Sequence, residues 1–285
     1  MRSRSALRAF AFIGALTFAT AAHAEILDLP TFDLNQVLPP SAVKEIIKTL
    51  GILTNHRSYQ GAAPLGNTGL DLGIEATLVH LPEGFAPALS EAGMGGAGLT
   101  SGSLPMTKLH FHKGMGKTVD FGASGLYYSG NYIWGVDLKF VLVEPEEGLT
   151  WAFRFGYSET KLDMSRFAIS GIPIKVGGVE IGQGSLKLAT RTLTPQLLAS
   201  RRLDFAEPYF GMALEMTSGQ IQIPVSMNVL EEKQTMSSAA TSASEVFLFT
   251  GVSFRIPNAG LRLCIEGGYG TLGMHALGLV VGLSF

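Results

Sequence analysis

The sequence predicts an all-β chain: an antiparallel up-and-down transmembrane β-barrel of about ten strands with a short N-terminal helix. Three observations lead there. The 285 residues are 46% hydrophobic and only 15% charged, with a mean hydropathy of +0.28, yet no run reaches the ~18 consecutive apolar residues that a spanning helix requires. From about residue 68 the apolar side chains fall at every second position, the period of a strand. The connections between the strands so read are short at one end and long at the other, as in membrane barrels. The same composition removes other classes. Disordered chains are poor in apolar residues and rich in charge. The single cysteine, Cys264, cannot pair within the chain, so there is no disulfide scaffold. A formal charge of −2 lacks the basic footprint of a nucleic-acid binder.

Residues 1–24, MRSRSALRAFAFIGALTFATAAHA, read as a secretory signal peptide. Arg2, Arg4 and Arg8 make a basic start, an apolar run follows, and Ala22-His23-Ala24 has the small-x-small form of a cleavage site. Cleavage near Ala24 takes away three arginines and leaves a formal charge of −5 in place of −2.

Residues 25–66 are expected to form a periplasmic segment with one short helix at about 41–50. Ser41 is placed to cap its N-terminus, Glu45 lies in the first turns, and Gly51 stands where a left-handed cap is wanted. Val43, Ile46, Ile47 and Leu50 make an apolar stripe that packs the helix against its own protein, with a lid or a plug entering the barrel as the sharper reading.

Residues 67–285 carry the barrel, with strands read near 69–80, 104–113, 117–129, 132–143, 148–162, 186–202, 204–218, 243–257, 260–270 and 273–285. In GLDLGIEATL, Leu70, Leu72, Ile74, Ala76 and Leu78 oppose Asp71, Gly73, Glu75 and Thr77. In YIWGVDLKFVL, Tyr132, Trp134, Val136, Leu138, Phe140 and Leu142 oppose Gly135, Asp137 and Lys139. In LTWAFRFGYS, Trp151, Phe153, Phe155 and Tyr157 oppose Ala152, Arg154, Gly156 and Ser158. The strands are longer than the five or six residues usual in soluble sheets, and the polar face is rich in Gly, Ala and Ser, which suits a crowded lumen. KGMGK, EPEEG, the 202–204 corner and IPNAG are the short turns; 81–103, 163–185 and 219–242 are the long connections. The sixth strand is interrupted by Pro195, which a central strand tolerates only at a bulge.

The chain stops at HALGLVVGLSF, with Leu277, Leu279, Val281, Leu283 and Phe285 on one face. Here it resembles the single-chain bacterial outer-membrane β-barrel proteins, whose last strand ends in Phe and carries alternate apolar residues. PLGNTGLDLGIEATLVHL, LHFHKGMGKTVDFGASGLYY and GVDLKFVLVEPEEGLTWAFRFGY likewise look like uncharacterised proteobacterial outer-membrane barrels. The resemblance departs from the usual pattern at Val280, where such strands often carry Gly. It implies integral location in the bacterial outer membrane, contact with outer-membrane lipid, and Leu283 and Phe285 as a signal to the barrel-assembly machinery.

The polar parity places Asp71, Glu75, Lys108, His110, His112, Asp120, Asp137, Lys139, Arg154, Arg191, Glu207, Glu215, Arg255, Arg262 and Glu266 in the lumen. This mixture of signs is closer to a salt-bridged interior than to a charge-selective path, and ten strands leave far less interior than the sixteen of a water channel. Asp71, Glu75, His110, His112 and Asp120 are expected to form one ionic cluster near the periplasmic mouth, without a metal or other cofactor. Omptin proteases, lipid A deacylases and outer-membrane phospholipases gather acidic, His or Ser groups at the rim. No such catalytic constellation is legible here. The expected function is therefore a non-enzymatic barrel with a filled lumen, its long loops serving an unidentified surface ligand or envelope integrity. The alternatives are a narrow channel or carrier for a small solute or apolar molecule, and an outer-membrane hydrolase.

Overall fold

Alternation over ten long segments leaves each strand with one apolar and one polar face, and closing the sheet is what removes its unpaired edges. The computed structural model describes residues 31–33, 40–80, 83, 87, 103–163, 170–176, 179–185, 187–227, 233–238, 240–256, 259–271 and 273–285. The expected signal peptide and nearly all of the 81–102 connection lie outside these. The barrel strands are β1 Leu70–His80, β2 Ser103–Gly114, β3 Val119–Tyr128, β4 Asn131–Val143, β5 Thr150–Asp163, β6 Lys187–Ser200, β7 Ala206–Met227, β8 Thr241–Ile256, β9 Leu261–Gly270 and β10 His275–Ser284. Each pairs antiparallel with its successor, and β10 pairs with β1 to complete the ring. Leu70 N donates to Phe285 O at 3.0 Å and Phe285 N to Leu70 O at 2.9 Å, so the terminal Phe forms part of the seam.

Strand β7 runs to Met227, past the end expected at 218, because Ile221 and Ile223 continue the alternation. The pair Ser170–Val176 and Val179–Ser185, together with Lys233–Ser237, extends the sheet beyond the barrel at the same end. Pro195 stays in β6, yet the β6–β7 register runs from Ala213↔Gln196 to Met216↔Leu193 with nothing paired between, an interruption its missing N–H accounts for. The β2–β3 register covers only Leu109–Gly114 against Asp120–Gly125, so the far halves of these two strands are not joined.

The apolar face points outward. Leu72, Ile74, Leu78, Trp151, Phe155, Phe210, Met212, Leu214, Leu277, Leu279 and Val281 are 38–56% exposed, while Asp71, Glu75, Lys108, His112, Lys139 and Arg154 are at most 2% exposed. A barrel meant for water would have these faces reversed. No helix among the described residues is long and apolar enough to cross a membrane.

Helix α1 spans Pro40–Thr54. It begins on Pro40, which suits a first helical position, so Ser41 lies inside the helix and is not its cap. Gly51 is also inside it and does not end it: a side chain there would collide with Thr217 of β7, so glycine at this position serves close approach to the wall. Ala42, Val43, Ile46, Ile47 and Leu50 are buried.

The following residues correct the expected periplasmic placement. From Thr54 the chain runs through the middle of the barrel, with Thr54 against Thr160, Asn55 against Ser158 and Thr194, and Ala62 and Ala63 against Ser200. Thr160 lies on the side of the long connections, Thr194 at the middle of β6, and Ser200 ends β6 at a short turn. The helix thus occupies the long-connection end, and residues 55–65 descend to the short-turn end before entering β1. Small lumenal residues make this passage: the Gly278 position is pressed by the Tyr59 ring, and Gly135 by His56. Gly278→Val is therefore expected to destabilise the fold by about 1–3 kcal/mol through overpacking, read as a lower urea midpoint in detergent, whereas Gly267→Val, with open space around it, is expected to shift it much less.

Candidate functional site

A strand pairs its backbone with its neighbours, so a segment that threads a barrel must find partners for its own backbone elsewhere. Residues 55–65 find them on lumenal side chains. Lys108 Nζ donates to Asn55 O at 2.8 Å, Arg154 Nη2 to Gln60 O at 3.3 Å, and Lys139 Nζ to Gly61 O and Ala63 O at 3.1 and 2.7 Å. Arg262 Nη2 donates to Tyr59 O. Going the other way, Ala63 N donates to Glu207 at 3.1 Å and Leu65 N to Asp120 at 3.1 Å. Side chains of the segment add Gln60 Nε2 to Asp71 at 2.9 Å and Arg57 beside Glu215 at 3.6 Å, with the Arg57 guanidinium 4.1 Å from the Phe247 ring centroid. The cations predicted for the lumen thus serve as donors to a chain that fills it.

The five expected cluster residues separate into three partnerships. Glu75 binds Lys108 at 2.7 Å and accepts from His110 Nδ1 at 3.2 Å, and His110 Nε2 meets His112 Nδ1 at 2.7 Å. Asp71 turns instead to Arg262 at 3.2 Å and to Gln60. Asp120 turns to Lys139 at 2.8 Å and to the Leu65 amide. The groups fall apart because the intervening space holds a segment whose own donors and acceptors recruit them. Of the other predicted lumenal charges, Glu207 joins Ser200 at 2.7 Å and Glu266 accepts from Tyr209 at 2.8 Å. Arg255 is half-buried on the lumenal parity. Arg191 is a correction. In β6 the even positions from Leu188 to Ser200 are the buried ones, so Arg191 stands outside with Leu193, its side chain 52% exposed and 3.8 Å from Glu159. Tyr132 and Tyr157 also donate to Glu159, so this is a polar and aromatic patch on the outer wall. Leu283 and Phe285 are exposed on that wall.

His110 and His112 lead to a residue that periodicity could not reveal. His112 Nε2 is 3.3 Å from Asp137 Oδ1, and His56 Nε2, from the threaded segment, is 3.5 Å from the same oxygen. Asp137 Oδ2 is taken by Ser58 Oγ at 2.6 Å and Arg154 Nε at 3.2 Å. His56 Nδ1 lies 2.6 Å from Ser124 Oγ. Ser124, His56 and Asp137 therefore have the connectivity of a nucleophile, a base and its orienting carboxylate. They are 7%, 3% and 3% exposed, and Asp137 is shared with His112, Arg154 and Ser58. His80 and His275 face outward, their rings 6.1 Å apart. A cavity of about 830 Å³ at the helix end is lined by Lys44, Glu45 and Lys48 of α1 and by Thr217, Ser218 and Ser244 of the wall.

Neither a protein-family model nor a curated protein sequence matches the chain. Solved structures do. The attachment invasion locus protein Ail of Yersinia pestis, in complex with the heparin analogue sucrose octasulfate, is 10% identical over 76% of this chain and 98% of its own, with a TM-score of 0.33. The structure of Ail without that ligand gives 9%, 77%, 99% and 0.29. The outer membrane protease OmpT of Escherichia coli is 10% identical over 76% of this chain and 94% of its own, with a TM-score of 0.38.

Proposed function

We propose that the protein is an outer-membrane barrel closed by its own N-terminal segment, which acts at the cell surface through its long connections, in contact with a ligand or in envelope integrity, and neither passes solutes nor catalyses a reaction. The observation that carries this reading is the passage of residues 55–65 down the lumen, hydrogen-bonded to strands on every side. Buried charge supports it: among the described residues eight carboxylates and six Lys or Arg side chains are buried, and their pairing leaves no run of one sign for an ion to follow. The outward apolar face fits lipid. The wide cavity beside α1, bordered by lysine, glutamate and hydroxyl groups, is where a polar surface ligand would be met.

A second reading, a carrier for an apolar molecule, is favoured by one feature. The β2–β3 register ends at Leu109↔Gly125, and Leu126, Tyr127 and Tyr128 beyond it are exposed, so an apolar ligand could reach the wall from the side.

One set of preparations tests these readings. Purified mature protein in planar bilayers is expected to give no resolved single-channel steps. In liposomes it is expected to leave both an ionic and an apolar fluorescent probe where they were loaded. Resolved steps would overturn the closed lumen, and movement of the apolar probe alone would install the carrier. Hydrolysis of lipid or peptide that disappears in Ser124→Ala would overturn the non-enzymatic reading.

A further inference from the structure

We propose that His56, His112 and Asp137 bind a divalent transition-metal ion, zinc by its ligand chemistry, which fastens the threaded segment to β2 and β4. The site is independent of whether the barrel conducts.

The geometry is that of a coordination polyhedron without its centre. Zinc takes imidazole nitrogen and carboxylate oxygen tetrahedrally at ~2.0–2.2 Å, which sets neighbouring ligand atoms about 3.3–3.5 Å apart. His112 Nε2 and His56 Nε2 stand 3.3 and 3.5 Å from Asp137 Oδ1, and one ligand atom from each of the three residues lies within 4.8 Å of the others. None of the three is engaged in a hydrogen bond. Buried polar atoms without partners cost ~1–3 kcal/mol each, and here three point at one place.

Proton bookkeeping along the histidines explains why they do so. Glu75, paired with Lys108, accepts from His110 Nδ1, which must carry the proton. With His110 neutral, its Nε2 presents a lone pair and accepts from His112 Nδ1. That leaves His112 Nε2 bare, facing a carboxylate oxygen, an arrangement a hydrogen bond cannot satisfy and a cation can. His56 is held through Nδ1 by Ser124, and Asp137 through Oδ2 by Ser58 and Arg154. Each ligand therefore has an outer partner on its far side, the support that metal-binding histidines and carboxylates ordinarily have.

One further feature keeps the place open. On β3, a side chain at Gly122 would press on both Asp137 Oδ1 and His112 Nε2, so the bare glycine clears the space between them.

The site is enclosed in the folded barrel, so the experiment supplies metal during folding. Mature protein is refolded from urea into detergent with zinc, with cobalt(II), or with a chelator, then dialysed, and its metal content is measured by elemental analysis. The expected result is one ion per chain, a tetrahedral-type visible spectrum for cobalt, and a higher urea midpoint than the chelator-treated protein. His112→Ala, and His56→Gln on the threaded segment, are expected to lose the ion. Gly122→Ala is expected to lose it with all three ligands retained. His110→Ala, whose side chain only positions His112, is expected to weaken affinity ~10–100-fold, and His80→Ala on the outer wall to change nothing. Folded wild-type protein, recognised by its heat-dependent gel mobility, that retains no ion would overturn the proposal. So would retention undiminished in both His112→Ala and His56→Gln. Should His112→Ala fail to fold, the wild-type metal content and His56→Gln decide the matter.

Discussion

Arg262→Met is expected to lower the stability of the folded barrel by about 3–5 kcal/mol, the range for breaking a buried ion pair and leaving its partner charged. Arg262, on β9, is 3% exposed and reaches three parts of the molecule. Its Nη1 is 3.2 Å from Asp71 on β1, its Nε donates to Ser253 on β8 at 3.0 Å, and its Nη2 donates to the carbonyl of Tyr59. Tyr59 has φ +50°, a left-handed conformation that costs a non-glycine residue roughly 1–2 kcal/mol. Arg262 is one of the groups holding it there, together with the contact of the Tyr59 hydroxyl with Thr77. Without the guanidinium, Asp71 keeps Gln60 Nε2 as a buried donor but, among the described residues, no buried cation within ion-pair distance. Urea unfolding in detergent, followed by tryptophan fluorescence and heat-dependent mobility, reads the loss. Asp71→Leu in the same chain separates the causes. If the abandoned charge carries the cost, Arg262→Met with Asp71→Leu recovers most of the stability; if the grip on Tyr59 carries it, the double variant remains near the single one.

The same residue shows what alternation can and cannot disclose. Period two assigns Arg262, Asp71, Glu75, His110 and Asp137 to the lumen, because every strand has one lipid-like and one polar face and a one-residue slip would reverse both. The ten strands were legible for that reason, and their ends shift by only a few residues apart from β7. Parity does not say what a lumenal charge touches. The partners Asn55, His56, Arg57, Tyr59 and Gln60 lie in LTNHRSYQGAAPLG, which has neither helical nor strand period because its backbone is bonded to side chains of seven different strands and not to a repeating neighbour. Its polar residues look like a linker, and its burial and its bonds to the wall reveal a core. A signal was present in Gly122, Gly135 and Gly278, small residues on a face that otherwise carries charges, since a lumen lined with glycine must hold something bulky. Arg191 failed for a local reason: with Leu188 and Leu198 buried and Leu193 and Leu197 exposed, leucines stand on both faces of β6, and the polar parity is ambiguous there.

Ile265→Arg is expected to cost about 2–4 kcal/mol if the outward belt meets hydrocarbon, the depth-dependent penalty for a cation at the middle of a bilayer. Ile265 is the central outward residue of β9, 42% exposed, opposite Leu279 of β10 and Val252 of β8. Trp134 is the control. It lies three residues from the Asn131 end of β4, opposite Glu159, with its ring 5.5 Å from that of Tyr157. Tyr157 itself donates to Glu159, which pairs with Arg191. Aromatic rings among charged groups mark the interfacial girdle of a membrane barrel, where a cation costs about 0–1 kcal/mol. Trp134→Arg is therefore expected to be nearly neutral in lipid vesicles beyond the packing it loses. Ile265→Arg should be severe in vesicles and milder in short-chain detergent, where the arginine stem can carry its charge to water. The contrast between depths is the decisive readout. Equal, small effects at both positions would mean that the apolar belt faces water and that the barrel is not a membrane protein, whereas a gradient from Trp134 to Ile265 cannot arise from packing alone, because the side chain lost at Trp134 is the larger of the two.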